Sequence, residues 1–139
     1  MKIVLDTNVV VSGLLNTHGK PGAILQMVAI RALIICYDAR IITEYREVLL
    51  RPKFPINETE VDAILEHIEA SGHLVATSPL PQHLPDPDDE PFLEVALAGG
   101  AEYLVTGNVK HYPEDRRRGV KVESPAEFVE LYRKSIDDG

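Results

Sequence analysis

Residues 3–5, Ile-Val-Leu, form a short apolar run that stops abruptly at Asp6-Thr7-Asn8. An apolar pattern compatible with a helix then resumes over residues 9–15. A β-branched and aliphatic run of that length reads as a buried strand. The junction therefore plants a carboxylate where the first strand ends and the first helix begins. In open α/β sheets, ligands bind outside the carboxyl ends of the strands, which is where this carboxylate stands. Asp, Thr and Asn are also good helix N-caps, so capping alone accounts for these residue types. The spacing of the later acids is what separates the two explanations.

Along the chain, Pro21 stands near the start of a helix expected over residues 22–32, and residues 33–37 form a second buried strand. Asp38 caps a helix reaching to about Leu50, which Pro52 ends. Residues 57–71 carry Val61, Ile64, Leu65 and Ile68 on one stripe, and Gly72 closes that helix. Strands are expected over residues 73–77, 103–106 and 120–122, with a proline-rich connection at 78–87 and a helix at 88–98 ended by Gly99-Gly100. Ser124-Pro125 opens the last helix, with serine as the cap and proline at the first helical position. Strands alternating with helices predict an α/β sandwich around a parallel sheet. With no repeat or interdomain linker in view, a chain of 139 residues reads as one domain, 1–139.

The net charge of −8 argues against a protein that binds nucleic acid by nonspecific attraction to phosphate. It is compatible with an enzyme whose carboxylates hold divalent ions. Cys36 is the only cysteine and has no internal disulfide partner. No apolar run approaches the ~20 residues of a membrane span, and the N-terminus lacks a signal-peptide pattern. These features point to the cytoplasm and to no membrane association.

At ~100° per residue, helical geometry sorts the acids by face. After Asp38, the apolar stripe is Ile41, Ile42, Tyr45, Val48 and Leu49; Glu44 borders it and Glu47 lies nearly opposite. In the segment Asp86-Pro87-Asp88-Asp89-Glu90-Pro91, Asp89 falls at the centre of the stripe formed by Phe92, Leu93, Ala96 and Leu97. Asp88, Glu90 and Glu94 point away from it. An acid at a helix N-terminus is also favoured by the dipole and the unpaired N–H groups, so Asp89 has a capping explanation too. The fourth strand ends Tyr103-Leu104-Val105-Thr106-Gly107-Asn108, which puts Thr106 and Asn108 at the same kind of position as Asp6. Carboxylates converging on one sheet edge repel unless a cation sits among them, and oxygen-only ligands suit Mg²⁺ or Mn²⁺. Such a site favours metal-assisted attack of water on a phosphodiester.

IVLDTN at the N-terminus, EYREVL in the third helix, DPDDEPFLEVAL and YLVTGN together resemble the PIN-domain nucleases. The resemblance is nearest to the VapC-like toxins of toxin–antitoxin pairs and runs from Met1 to the last helix. It implies a PIN-like three-layer sandwich with a parallel five-stranded sheet of order 3-2-1-4-5 flanked by helices. It also implies Mg²⁺- or Mn²⁺-dependent cleavage of RNA, a small antitoxin partner and a homodimer. The family's acids carry over to Asp6, Glu44 and Asp89, and its fourth, usually Asp, falls on Asn108. That departure removes one charge from the metal set and keeps open a catalytically weakened domain that binds RNA or protein. Asn8 and Thr106 match positions that orient substrate.

The only basic concentration, Arg116-Arg117-Arg118 with Lys110 and Lys121, follows the active-edge loop. A charge run is ordinarily a solvated face, and phosphate contact by Lys110, Arg116 and Arg117 is the functional alternative. His111 is close enough in sequence to Asn108 to touch substrate, and a surface loop histidine is the simpler reading. Aspartyl phosphotransfer is disfavoured, because Asn8 occupies the place where a second Asp is expected.

Overall fold

A computed structural model describes residues 1–138. It contains β1 (Lys2–Leu5), α1 (Thr7–Leu15), α2 (Lys20–Ala29), β2 (Ile34–Tyr37), α3 (Ala39–Leu49) and α4 (Glu58–Ser71). These are followed by β3 (His73–Leu74), α5 (Glu90–Gly99), β4 (Tyr103–Val105), β5 (Lys121–Glu123) and α6 (Pro125–Asp137). The strands form one parallel sheet of order β3-β2-β1-β4-β5, flanked by helices. Ile3, Val4 and Leu5 of the central strand are fully buried, as an uninterrupted apolar run in a parallel strand requires.

The chain winds outward from β1 through β2 to β3, then crosses back to place β4 beside β1. The register Leu5↔Val105 brings the carboxyl ends of β1 and β4 level. This is the point where the winding reverses, the place where open α/β sheets bind ligands.

Local chemistry explains most element boundaries. Asp38, Asn57 and Ser124 each accept a hydrogen bond from a backbone N–H in the first turn of the helix they precede. Gly100 ends α5 in the left-handed region at φ 64°, where a side chain is strained. A Cβ on Gly22 would lie 2.4 Å from the Thr17 carbonyl oxygen, so glycine there lets α2 fold back closely on the turn after α1.

Several boundaries differ from the sequence expectation, among them the end of α2 at Ala29 and the start of α5 at Glu90. Helix α1 begins at Thr7 and α2 at Lys20, each two residues earlier than the apolar pattern suggests. Strand β3 is only two residues long, not the five of 73–77. It is the edge strand, Leu74 is largely exposed, and one further bond from Val75 N–H to the Tyr37 carbonyl exhausts its pairing.

Candidate active site

Asp6 continues the ladder after β1, its N–H donating to the Val105 carbonyl at 2.9 Å. Its side chain makes no cap hydrogen bond to α1. Instead Oδ2 accepts two hydroxyl donors, Thr106 Oγ1 at 2.9 Å and Tyr112 OH at 3.1 Å. Capping alone therefore does not account for this residue. The ends of the two strands are stitched further: Gly107 N–H donates to Asn8 Oδ1 at 2.9 Å, and Asn108 N–H donates to Thr106 Oγ1 at 3.0 Å.

Glu44 arrives from α3, which is anchored over β1 by the buried Tyr45, whose hydroxyl donates to the Leu5 carbonyl at 2.5 Å. That anchor brings Glu44 to the same edge, where Oε2 accepts from the Thr7 hydroxyl. Asp89 ends a short 3₁₀ turn, Pro87–Asp89, that leads into α5. The turn is capped by Asp86, whose Oδ1 accepts from Asp88 N–H, and Asp89 makes no cap bond. Its Oδ2 faces His111 Nδ1 at 3.2 Å.

The three acids share one pattern. In each, one oxygen meets a side-chain partner, and no side-chain hydrogen bond reaches the other. Among the described residues no buried side-chain polar atom lacks a partner. The three free oxygens are therefore open to solvent.

Electrostatically the group is under-compensated. Burial raises the Asp6 carboxyl, opposed by the Thr106 and Tyr112 hydroxyls and by the N–H groups of Thr7 and Asn8. Burial raises Glu44, opposed by the Thr7 hydroxyl and reinforced by the charges of Asp6 and Asp88. Asp89 is pushed up to about 6, first by burial and then by Asp6 and Asp86, against the pull of His111. No lysine or arginine among the described residues pairs with any of the three.

A hard divalent cation fits this donor set, because it supplies the missing positive charge and takes oxygen ligands. Among the described residues no three acidic, histidine or cysteine side chains stand grouped closely enough to hold a metal ion by themselves. Mg²⁺ is commonly bound through one or two carboxylates, with water and phosphate completing the shell.

The remaining expected residues fall as follows. Asn108 is exposed, and its side chain forms no cap bond on the 3₁₀ turn Val109–His111. Lys110 is exposed on that turn. Arg117 is committed to the fold, its Nε donating to the Tyr112 carbonyl at 2.8 Å. Arg116 pairs with Asp115 and reaches toward the His83 carbonyl. Asn8 is partly buried and occupied with Gly107. Thr106 is fully buried and its hydroxyl donates to Asp6 Oδ2, so it acts on that carboxylate and not on substrate directly.

A correction concerns the acids expected to point away from α5. Glu94 is buried, accepting from Leu80 N–H at 3.1 Å and Arg40 Nη1 at 2.7 Å. Glu90 accepts from Leu84 N–H at 2.9 Å. The connection 78–87 covers that face of the helix, so it is not a solvent face. Tyr112 has no counterpart among the sequence expectations, because a tyrosine in an irregular segment carries no periodic signal. His111 is half-exposed, as a loop histidine should be, and also meets Asp89.

Three comparisons bear on this arrangement. The PIN domain family model matches residues 2–110, a segment containing Asp6, Glu44, Asp89 and Asn108. An uncharacterized protein of Methanocaldococcus jannaschii is 27% identical over 146 residues, covering 98% of this chain and 94% of that protein. In structure, VapBC2 from Rickettsia felis bound to a promoter DNA fragment matches with a TM-score of 0.59 at 19% identity, covering 89% of this chain and 98% of that one. FitAcB from Neisseria gonorrhoeae matches with a TM-score of 0.57 at 16% identity, covering 88% and 97%. With the sheet order, the strand-end acids and a family match over most of its length, the chain belongs to the PIN-domain family.

Proposed function

We propose that the chain, acting as one domain over residues 1–139, is a Mg²⁺- or Mn²⁺-dependent endoribonuclease. The observation that carries this reading is the convergence of Asp6, Glu44 and Asp89, each with one solvent-open oxygen and none paired to lysine or arginine. Asp6 and Asp89 would hold the cation, with Glu44 ligating directly or through water and Asn108 contributing a neutral oxygen. Bound there, the divalent ion supplies a lowered water pKa and charge neutralisation on the phosphate.

The chain's own residues do the rest. Glu44 orients the attacking water. Asn8 braces the turn after β4, which keeps the crevice open at the strand ends. Lys110, exposed beside Asn108, offers a phosphate contact, and Arg116 and Arg117 add positive charge to the same loop. These local cations offset the net charge of −8 where RNA must approach.

The biological setting belongs to the same proposal: the toxin of a toxin–antitoxin pair, held by a small antitoxin, homodimeric and cytoplasmic. Support comes from the fold shared with VapBC2 and FitAcB. No helix among the described residues is long and apolar enough to cross a membrane. Asn108 in place of a fourth acid favours one alternative, a catalytically weakened domain that binds RNA or a partner protein.

Single-stranded RNA incubated with Mn²⁺ tests the reading, with Asp6→Asn and Asp89→Asn as controls. Metal-dependent cleavage lost in both variants is expected, and equal cleavage by either variant would sink the assignment. Light scattering tests the homodimer, and expression without a partner tests the toxin: a monomer, or unimpaired growth, removes the corresponding claim.

A further inference from the structure

Asp6 has two carboxylate oxygens, and the fold treats them differently. Oδ2 accepts hydroxyl hydrogens from Thr106 and Tyr112, both at 0% exposure, so water does not compete for these bonds. Oδ1 accepts from no side chain, and the only other protein donors near the carboxylate are the N–H groups of Thr7 and Asn8.

Both donors are themselves fixed. Asn108 N–H donates to Thr106 Oγ1, which leaves the threonine hydroxyl hydrogen for Asp6. The Tyr112 backbone is held at both ends, its N–H donating to the Val109 carbonyl at 3.0 Å and its carbonyl accepting from Arg117 Nε at 2.8 Å. The preceding residue, His111, meets Asp89 Oδ2. One dipeptide thus touches the carboxylate that follows β1 and the carboxylate that precedes α5.

The Tyr112 hydroxyl also needs a reason to be where it is. A phenylalanine ring fills the same space, and a buried hydroxyl costs free energy unless it is hydrogen-bonded. Its partner is the Asp6 carboxylate, and a hydroxyl donating to an anion is among the stronger hydrogen bonds. Bonds of this kind fix the orientation of a ligating carboxylate and are part of how a metal site is tuned.

We propose that Tyr112 is a positioning residue of the site: with Thr106 it saturates Oδ2 of Asp6 and so makes Oδ1 the oxygen offered to a divalent cation. The inference rests on the metal reading of Asp6 given above.

Mn²⁺ titration by calorimetry on wild type, Asp6→Asn, Tyr112→Phe and Tyr112→Leu tests it, with thermal melts to verify folding. Tyr112→Phe keeps the ring and removes only the hydroxyl; its Mn²⁺ affinity is expected to fall about 10- to 100-fold. Thr106→Val, an independent removal of the other donor, is expected to weaken binding in the same direction, and Thr106→Ser to retain it. Should Tyr112→Phe fail to fold, the threonine pair carries the test. Wild-type affinity in Tyr112→Phe, with loss only in Tyr112→Leu, would mean the ring merely packs, and would overturn this inference alone. So would a gain in affinity on removing either donor. A wild type that binds no Mn²⁺, or an Asp6→Asn variant that binds as well as wild type, would overturn the metal reading together with this one.

Discussion

Arg40 and Glu44 stand one turn apart on α3, and each belongs to a group of acids that also draws on the segment around α5. At Arg40, the guanidinium donates to Asp38 Oδ2 at 2.8 Å, Glu94 Oε1 at 2.7 Å and Thr77 Oγ1 at 3.1 Å. The second oxygens of those two acids are taken by Ile41 N–H and Leu80 N–H. Every carboxylate oxygen in that group therefore has a protein donor, and the result is a tie between α3, α5 and the proline-rich connection. At Glu44, the same two helices and the end of β1 bring three carboxylates together with one oxygen each satisfied and no guanidinium in reach. The first group spends its charge on holding the fold. The second keeps charge unspent at a cost in stability, the usual condition of a site that waits for a ligand.

The largest expected effect breaks the second group. Asp6→Asn should lower Mn²⁺-dependent RNA cleavage by more than about 100-fold, beyond what the loss of an outer partner of a metal ligand costs. The metal-free variant should melt no lower than wild type, because a repelled buried charge has been removed. A gel assay and a thermal scan on one preparation check both halves.

Breaking the first group should do the opposite. Arg40→Met strands the Asp38 and Glu94 carboxylates and should cost about 1–3 kcal/mol, in the range for unsatisfied buried polar groups. That figure lies below the loss for a fully buried ion pair because Arg40 is half-exposed. Mn²⁺ affinity of the folded variant should stay close to wild type, and a denaturant melt with calorimetry measures the two separately.

The pH dependence sharpens the contrast. Asp89 has a folded pKa of about 6 against 3.8 for the free side chain. The folded chain therefore keeps a proton that the unfolded chain releases between those values. Its contribution to stability is fully present below pH 3.8 and is lost as pH rises through about 6. The stability of metal-free Asp89→Asn relative to wild type should accordingly grow from pH 4 to pH 7. Saturating Mn²⁺ should stabilise wild type more at pH 7 than at pH 5, since the ion takes the place of the proton. Thermal melts across that range, with and without the ion, show whether it does.

The smallest effect concerns Asn108. Asn108→Asp adds a fourth charge to the second group and should tighten Mn²⁺ binding modestly and raise activity at limiting Mg²⁺. Unchanged affinity and stoichiometry in calorimetry would place Asn108 outside the metal shell, as a residue suited only to its turn.

Local pattern sufficed for a good part of this protein. The apolar runs at 3–5 and 33–37 specify buried parallel strands, and the caps at Asp38, Asn57 and Ser124 specify helix starts, because each depends on residues within one turn. The inward tilt of Asp89 and the border position of Glu44 follow from helical periodicity in the same way. Periodicity says which side of a helix is apolar, but not what lies over the opposite side. Glu94 and Glu90 read as solvated for that reason, until the chain at 78–87 folds across them and donates its N–H groups. Thr106 and Tyr112 needed the tertiary structure more completely. Their hydroxyls meet at Asp6 from 100 and 106 residues away, and only the crossover that sets β4 beside β1 brings them there. Sequence placed the carboxylates on their elements; long-range packing alone determined which of them are neutralised and which oxygen of each is left free.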